Sequence, residues 1–442
     1  MDESFIERAL AAASHTRLLR VEPGVRRQVA THFCKMFGDA RAVVVADGNT
    51  WEAAGIDVAA GLRKGGVEQA EPFLFGPDVY AEYKFVEALQ SSLAGIDAIP
   101  VAVGSGAIND LTKLVAHRLG KPYMVVATAA SMDGYTAYGA SITYRGSKQT
   151  FECPAPRAVV ADLDVIARAP AHLNASGYAD LLAKGVAGAD WILADALGEE
   201  AIDAGAWAAV QERLAEWVGN PGGVKRADRD TLENLVTGLM MSGFAMQATR
   251  SSRPASGAEH QFSHLWDMQH HTHNGAAPSH GFKVGIGTLA SLELYRALLS
   301  HDLGQLDVDA AVAAWPSLEQ LNTRIAEVLG SGELAQKGRE ETRAKYVDDK
   351  MLRGQLERLR GDWPRLRERL QRHLQPYNDS RQMLREAGAP FEPEQIGISR
   401  QRLRESYEQA YYIRRRFTVL DLAMRTALFE RAMDEIFGNE HP

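Results

Sequence analysis

"IPVAVGSGAIND" at Ile99–Asp110, running straight into "LTKLVAHRLG" at Leu111–Gly120, decides the fold class. An unbroken apolar run enters a pair of glycines. Leu111, Leu114, Val115 and Leu119 then recur at helical spacing until Gly120 stops the pattern. A buried strand handing directly to a helix is half of a βαβ unit. Working outward, "RAVVVAD" (Arg41–Asp47) is a second such run, closed by the turn signal "DGNT". "PYMVVATAAS" (Pro122–Ser131) is a third, and "PRAVVADLDVIARAP" carries a fourth at Ala158–Val160. Buried runs separated by helices predict an α/β domain with a doubly wound, mostly parallel, Rossmann-like sheet.

After Pro170 the strand signals stop. "YADLLAKGVAGADWILADAL" (Tyr178–Leu197) and "RDTLENLVTGLMMSGFAMQA" (Arg229–Ala248) have helical periodicity. Leu352, Leu356, Leu359, Trp363, Leu366, Leu370 and Leu374 step by threes and fours, with Pro364 expected to start a new helix or kink this one. That charged stretch, with acids interleaved among its arginines, and "YYIRRRF" (Tyr411–Phe417) after it read as amphipathic helices with solvated faces and not as a nucleic-acid surface. The expected division is an α/β domain over residues 1–170 and an all-α domain over 171–442.

The chain has 442 residues, more than one hydrophobic core comfortably serves. A net charge of −8 argues against a nucleic-acid binder held by bulk electrostatics. Cys34 and Cys153 are the only cysteines, which excludes a disulfide scaffold and suits a reducing cytoplasm. "MDESFIERALAAASHTRLLR" does not read as a signal peptide. No apolar run approaches the ~18–20 residues of a membrane span.

In doubly wound sheets ligands bind beyond the carboxyl ends of the strands. Gly104 and Gly106 lie there and would let backbone approach a pyrophosphate at a helix N-terminus. The third glycine of G-x-G-x-x-G is missing, and a plain tight turn accounts for the pair equally well. Asp47 can accept from an adenosine ribose or simply form an Asx turn before Gly48. Farther on, Ala255–Gly285 holds six of thirteen histidines. His260 and His264 are four apart, so both imidazoles can point the same way, but Glu259 lies outside the pair, unlike H-E-x-x-H. His270, His271 and His273 look like a mobile polar loop. His280 stands where a glycine-punctuated apolar helix begins. Asp180 is expected to open the helix "YADLLAK", where a first-turn acid complements the dipole.

"GSGAINDLTK" (Gly104–Lys113), "ATAASMDGYTAYGAS" (Ala127–Ser141), "GYADLLAK" (Gly177–Lys184), "SRPASGAEHQFSH" (Ser252–His264) and "SHGFKVGIG" (Ser279–Gly287) occur in an order that resembles the glycerol-1-phosphate dehydrogenase family in its bacterial form. "QIGISR" and "RRFTVLDLA" extend the likeness toward the C-terminus. That family sits in the iron-dependent alcohol dehydrogenase, glycerol dehydrogenase and dehydroquinate synthase superfamily. The resemblance implies a dehydroquinate synthase-like fold, NAD(H) or NADP(H), and one divalent metal (zinc, nickel, iron or manganese). It places the metal ligands on Asp180, His260 and His280. Cofactor contacts fall on Gly106, Ala107, Ile108, Asn109 and Asp110, on Thr128, Ala129, Ala130 and Ser131, and on Ala137. Substrate contacts fall on Asp133, Asp180 and His264, with Asp133 and His264 as the catalytic candidates. The implied reaction is reduction of dihydroxyacetone phosphate to sn-glycerol 1-phosphate by a cytoplasmic homodimer. Arg250, Arg253 and Lys283 are candidate positive charges for the phosphate, or surface structural residues. A glycerol dehydrogenase, a dehydroquinate synthase-like cyclase and a non-catalytic relative are the alternatives.

Overall fold

The computed structural model describes residues 3–144 and 147–438. Six strands form one parallel sheet: β1 (Leu18–Glu22), β2 (Ala42–Asp47), β3 (Phe73–Phe75), β4 (Ile99–Gly104), β5 (Met124–Ala127) and β8 (Ala158–Asp162), in the order β1-β8-β5-β4-β2-β3. A separate antiparallel pair is made by β6 (Ala140–Tyr144) and β7 (Ser147–Phe151). The four strand runs of the sequence are present. The edge strands and the antiparallel pair are additions, because β1 alternates buried and exposed residues and β3 has only three.

From β2 the chain moves outward to β3, then returns to the other side of β2 as β4 and continues through β5 to β8. Strand order therefore reverses between β2 and β4, the topological switch point at which open α/β sheets bind ligands. Val45 pairs with Ala102, which brings Asp47 and Gly104 level at the carboxyl edge. One face of the sheet buries Val44, Ala46, Val101, Val103, Val126 and Val160 against Val25, Val29, Phe33, Val58 and Leu62. Val43, Val45, Ala102, Val125 and Val159 on the other face are also buried. Double-sided burial is why these strands read as continuous apolar runs.

Helix α1 (Gly106–Arg118) follows β4. It begins five residues earlier than the leucine pattern suggests, because small and polar residues fill its first turn. Beyond β8 the chain is helical: α2 (Ala171–Leu182), α3 (Lys184–Leu197), α4 (Arg229–Thr249), α5 (Ala258–Met268), α6 (His280–Ser300) and α7 (Asp349–His373) position the residues of interest. Pro364 lies inside α7, which is a single helix rather than two. Loss of one backbone bond there costs about 3 kcal/mol, which the buried stripe Leu352, Leu356, Leu359, Trp363, Leu366 and Leu370 offsets.

By contact the residues gather into two units. The first is the chain through Leu181 with Gly205–Ser252 and Glu386–Ala389; the second is Leu182–Ala204, Arg253–Arg385 and the chain from Pro390. These units interleave along the chain, and α4 falls in the same one as the six-stranded sheet. In the second unit Arg414–Phe417 lies beyond a helix ending at Tyr412, not on a solvated helical face. Arg414 donates to Ser256 Oγ at 2.8 Å and Arg416 to the Ser256 carbonyl at 2.7 Å; only Arg415 is exposed. No described helix is long and apolar enough to cross a membrane.

Candidate active-site residues

The dinucleotide segments lie in the first unit. Ser105 precedes α1, so Gly106, Ala107 and Ile108 form its first turn, whose N–H groups have no acceptor within the helix. A side chain at Gly104 would put its Cβ 2.5 Å from Ile108 Cβ, so this glycine lets α1 close onto the strand end. Asp47 caps the short helical segment after β2: Oδ1 accepts from Thr50 N–H at 2.8 Å, and Asp47 N–H donates to Thr50 Oγ1 at 3.0 Å. Asp47 Oδ1 therefore serves as a helix cap, within a capping box.

The polar side chains of α1 hold the next segment. Lys113, fully buried, donates to the carbonyls of Gly134 (2.8 Å), Ala137 (3.0 Å) and Gly139 (3.0 Å). Asn109 accepts from the Tyr123 hydroxyl at 3.0 Å and donates to Asp110 Oδ1 at 3.0 Å. Asp110 Oδ2 accepts from Ser141 N–H at 3.1 Å, and burial pushes this carboxyl up despite Lys113.

Thr128–Ser131 is tied down at each residue. Thr128 N–H donates to Gly104 O at 3.2 Å, Ala129 O accepts from the Tyr135 hydroxyl at 2.8 Å, and Ala130 N–H donates to Asn174 Oδ1 at 3.0 Å. Ser176 Oγ donates to Ser131 O at 3.3 Å. Asn174 and Ser176 belong to α2, which approaches so closely that a Cβ on Gly177 would lie 1.8 Å from the Ala130 carbonyl oxygen.

One turn along α2 from Gly177 stands Asp180, wholly buried. It lies in the last turn of α2, not the first, so the favourable dipole expected from sequence is absent and its sign reversed. "AHLNASG" (Ala171–Gly177) forms the start of this helix, its small and polar residues fitting the 128–131 segment. Asp180 Oδ2 accepts from Asp133 N–H at 3.1 Å. Asp133 Oδ2 in turn accepts from Ser242 Oγ of α4 at 2.8 Å. The Asp133–Asp180 pairing was invisible in sequence because it joins residues far apart in the chain, and Ser242 carries no sequence signal at all.

The histidines lie in the second unit. His260 and His264 project from α5 with ring centroids 6.1 Å apart, and His280 opens α6 with its ring 5.2 Å from His260 and 6.3 Å from His264. Ser279 caps α6 by accepting from Phe282 N–H. His260 Nδ1 lies 2.7 Å from Glu259 Oε1, which also accepts Gly257 N–H at 2.6 Å. Burial pushes the Glu259 carboxyl up to about 7. Two converging imidazoles suit borderline divalent ions.

His271 is buried rather than part of a mobile loop. Its Nε2 is 2.6 Å from Ile396 O, Arg402 approaches Nδ1 at 2.8 Å, and burial holds its pKa below the usual value. Arg253 and Lys283 are also buried, not surface residues. Arg253 donates to Phe417 O (2.8 Å) and Asp190 O (2.7 Å), and Lys283 pairs with Asp267. Arg250 alone of the three phosphate candidates is exposed, at the left-handed C-cap of α4.

The family model for iron-containing alcohol dehydrogenase matches residues 20–170. Over 287 residues the chain is 33% identical to the glycerol-1-phosphate dehydrogenase, NAD(P)+, of Bacillus licheniformis, covering 63% of this chain and 70% of that one. The chain belongs to the glycerol-1-phosphate dehydrogenase family. The family enzyme of Geobacillus stearothermophilus is 29% identical over 385 residues, 86% of this chain and 85% of its own. The fold is that of a probable glycerol dehydrogenase from Sinorhizobium meliloti 1021, with a TM-score of 0.61 at 15% identity over 96% of this chain and 97% of that one.

Proposed function

We propose that this member of the family reduces dihydroxyacetone phosphate to sn-glycerol 1-phosphate, reversibly, with NADH or NADPH and one divalent metal. The observation that carries the reading is the identity shared with glycerol-1-phosphate dehydrogenases over 70% of the B. licheniformis enzyme. Asp180, His260 and His280 supply one carboxylate and two imidazoles as metal ligands, a set that leaves coordination positions open. When bound, the nicotinamide supplies the hydride and the metal polarises the ketone oxygen.

The chain's own residues do the rest. First-turn N–H groups of Gly106, Ala107 and Ile108 face the pyrophosphate, with Thr128–Ser131, Ala137 and Asp47 lining the remaining cofactor path. Asp133, held by Ser242, orients a substrate hydroxyl or its water. His264, one turn from His260, faces the substrate and stands where the new alkoxide oxygen needs a proton. The division of labour gives the dinucleotide to residues 1–170 and the metal and substrate to 171–442, with Asp133 reaching the substrate from the first. A cytoplasmic homodimer is part of the same reading.

The test is NAD(P)H oxidation with dihydroxyacetone phosphate against dihydroxyacetone. The phosphorylated ketone should have much the higher kcat/KM, because binding energy from the remote phosphate positions the carbonyl. Equal values would move the chain to the glycerol dehydrogenase reading, and formation of the 3-phosphate would overturn the stereochemistry.

A further inference from the structure

We propose that Glu259 is the positioning residue for His260, fixing both the ring's orientation and which of its nitrogens faces the metal. The inference rests on the proposed metal site but goes beyond its ligand set. Glu259 Oε1 already accepts Gly257 N–H at 2.6 Å, so it meets His260 Nδ1, 2.7 Å away, as an acceptor. The hydrogen then sits on Nδ1, and Nε2 keeps its lone pair for coordination. An imidazole held this way cannot flip or change tautomer without giving up a buried hydrogen bond.

The cost of the arrangement argues for its purpose. Glu259 is wholly buried, and its second oxygen, Oε2, has no hydrogen-bond partner among the described residues. A buried, half-satisfied carboxylate is expensive, and an apolar residue in the first turn of α5 would fold at less cost. Gly257 fixes the carboxylate from the backbone side, so the contact is built into the helix start and is not a chance rotamer. Consecutive residues on a helix point about 100° apart, and here the longer glutamate side chain reaches round to its neighbour's ring.

The experiment measures Zn2+ affinity of the purified full-length chain by competition with a chromophoric chelator, alongside the melting temperature of the chelator-stripped protein. Parent, Glu259→Gln, Glu259→Leu, His260→Ala and the Glu259→Leu/His260→Ala pair are compared. Glu259→Leu should weaken Zn2+ binding by about 10–100-fold, the usual effect of losing a residue that orients a metal-bound histidine. Glu259→Gln should lose less, since its amide oxygen can still accept from Nδ1. With His260 already replaced, removing Glu259 should add nothing. Unchanged Zn2+ affinity in Glu259→Leu, with only a lower metal-free melting temperature, would make Glu259 a purely structural residue and overturn the inference. Failure of the parent itself to bind one Zn2+ would instead overturn the metal reading on which it stands.

Discussion

Asp133 depends on a hydroxyl from another helix, and that dependence is measurable at the level of single atoms. Ser242→Ala leaves a buried carboxylate oxygen without its 2.8 Å donor, at a cost of about 1–3 kcal/mol. We expect a lower urea midpoint and a lower kcat for dihydroxyacetone phosphate, with Ser242→Thr recovering part of both. A variant with parental kcat would remove Asp133 from the substrate. Glu341 gives a pH prediction of definite sign. Burial opposes its ionisation, but Arg415 and Lys337 outweigh that and hold its pKa at about 2. A depressed carboxyl stabilises the fold above the unfolded value near 4.5, and the stabilisation is lost as pH falls through about 2. The melting temperature of Glu341→Gln should therefore lie below the parent's at pH 6, with the gap closing toward pH 2–3; a constant gap would contradict the assignment.

At the scale of elements, α2 was the hardest to read. Its periodicity became visible only at Tyr178, so Asp180 seemed to lie in a first turn when it lies in the last. Asn174, Ser176 and Gly177 carry no apolar periodicity because they answer to the 128–131 segment and not to a core. Gly177→Ala tests that docking directly. A Cβ 1.8 Å from the Ala130 oxygen must push helix and segment apart, costing about 1–3 kcal/mol or more. Both a reduced melting temperature and a raised KM for NADH are expected, and an unchanged KM would separate the segment from the cofactor. By contrast β2, β4, β5 and β8 were legible, because burial on two faces leaves an unmistakable apolar run. Edge strand β1 shows alternation over five residues, too short to stand out.

For the molecule as a whole, the switch point followed from strand order, and the proposed ligand set of Asp180, His260 and His280 came from resemblance to a family. Spacing alone could not supply the triad, since Asp180 stands eighty residues before His260 in the chain. Nor could it supply Glu259's role: sequence showed its adjacency to His260, and the hydrogen bond required coordinates. Metal that binds only the folded chain must stabilise all of it. At a hundredfold excess over Kd the gain is about 2.7 kcal/mol, so a chelator should lower the melting temperature measurably. In Asp180→Asn that chelator-induced shift should shrink or vanish; a full shift would exclude Asp180 as a ligand.

Lys113 deserves a kinetic reading. One ammonium has three protons, and here all three reach carbonyls of Gly134, Ala137 and Gly139. One side chain thus clamps three carbonyls between Gly134 and Gly139, alongside the separate bonds that Thr136 donates to Met240 O and accepts from Gln247. In hydrogen–deuterium exchange, withdrawal of that side chain should lower the opening free energy of the protected amides along this stretch together. Lys113→Met, similar in length but without protons to give, would turn the stretch into the fastest-opening part of the α/β unit while leaving exchange in its central strands unchanged.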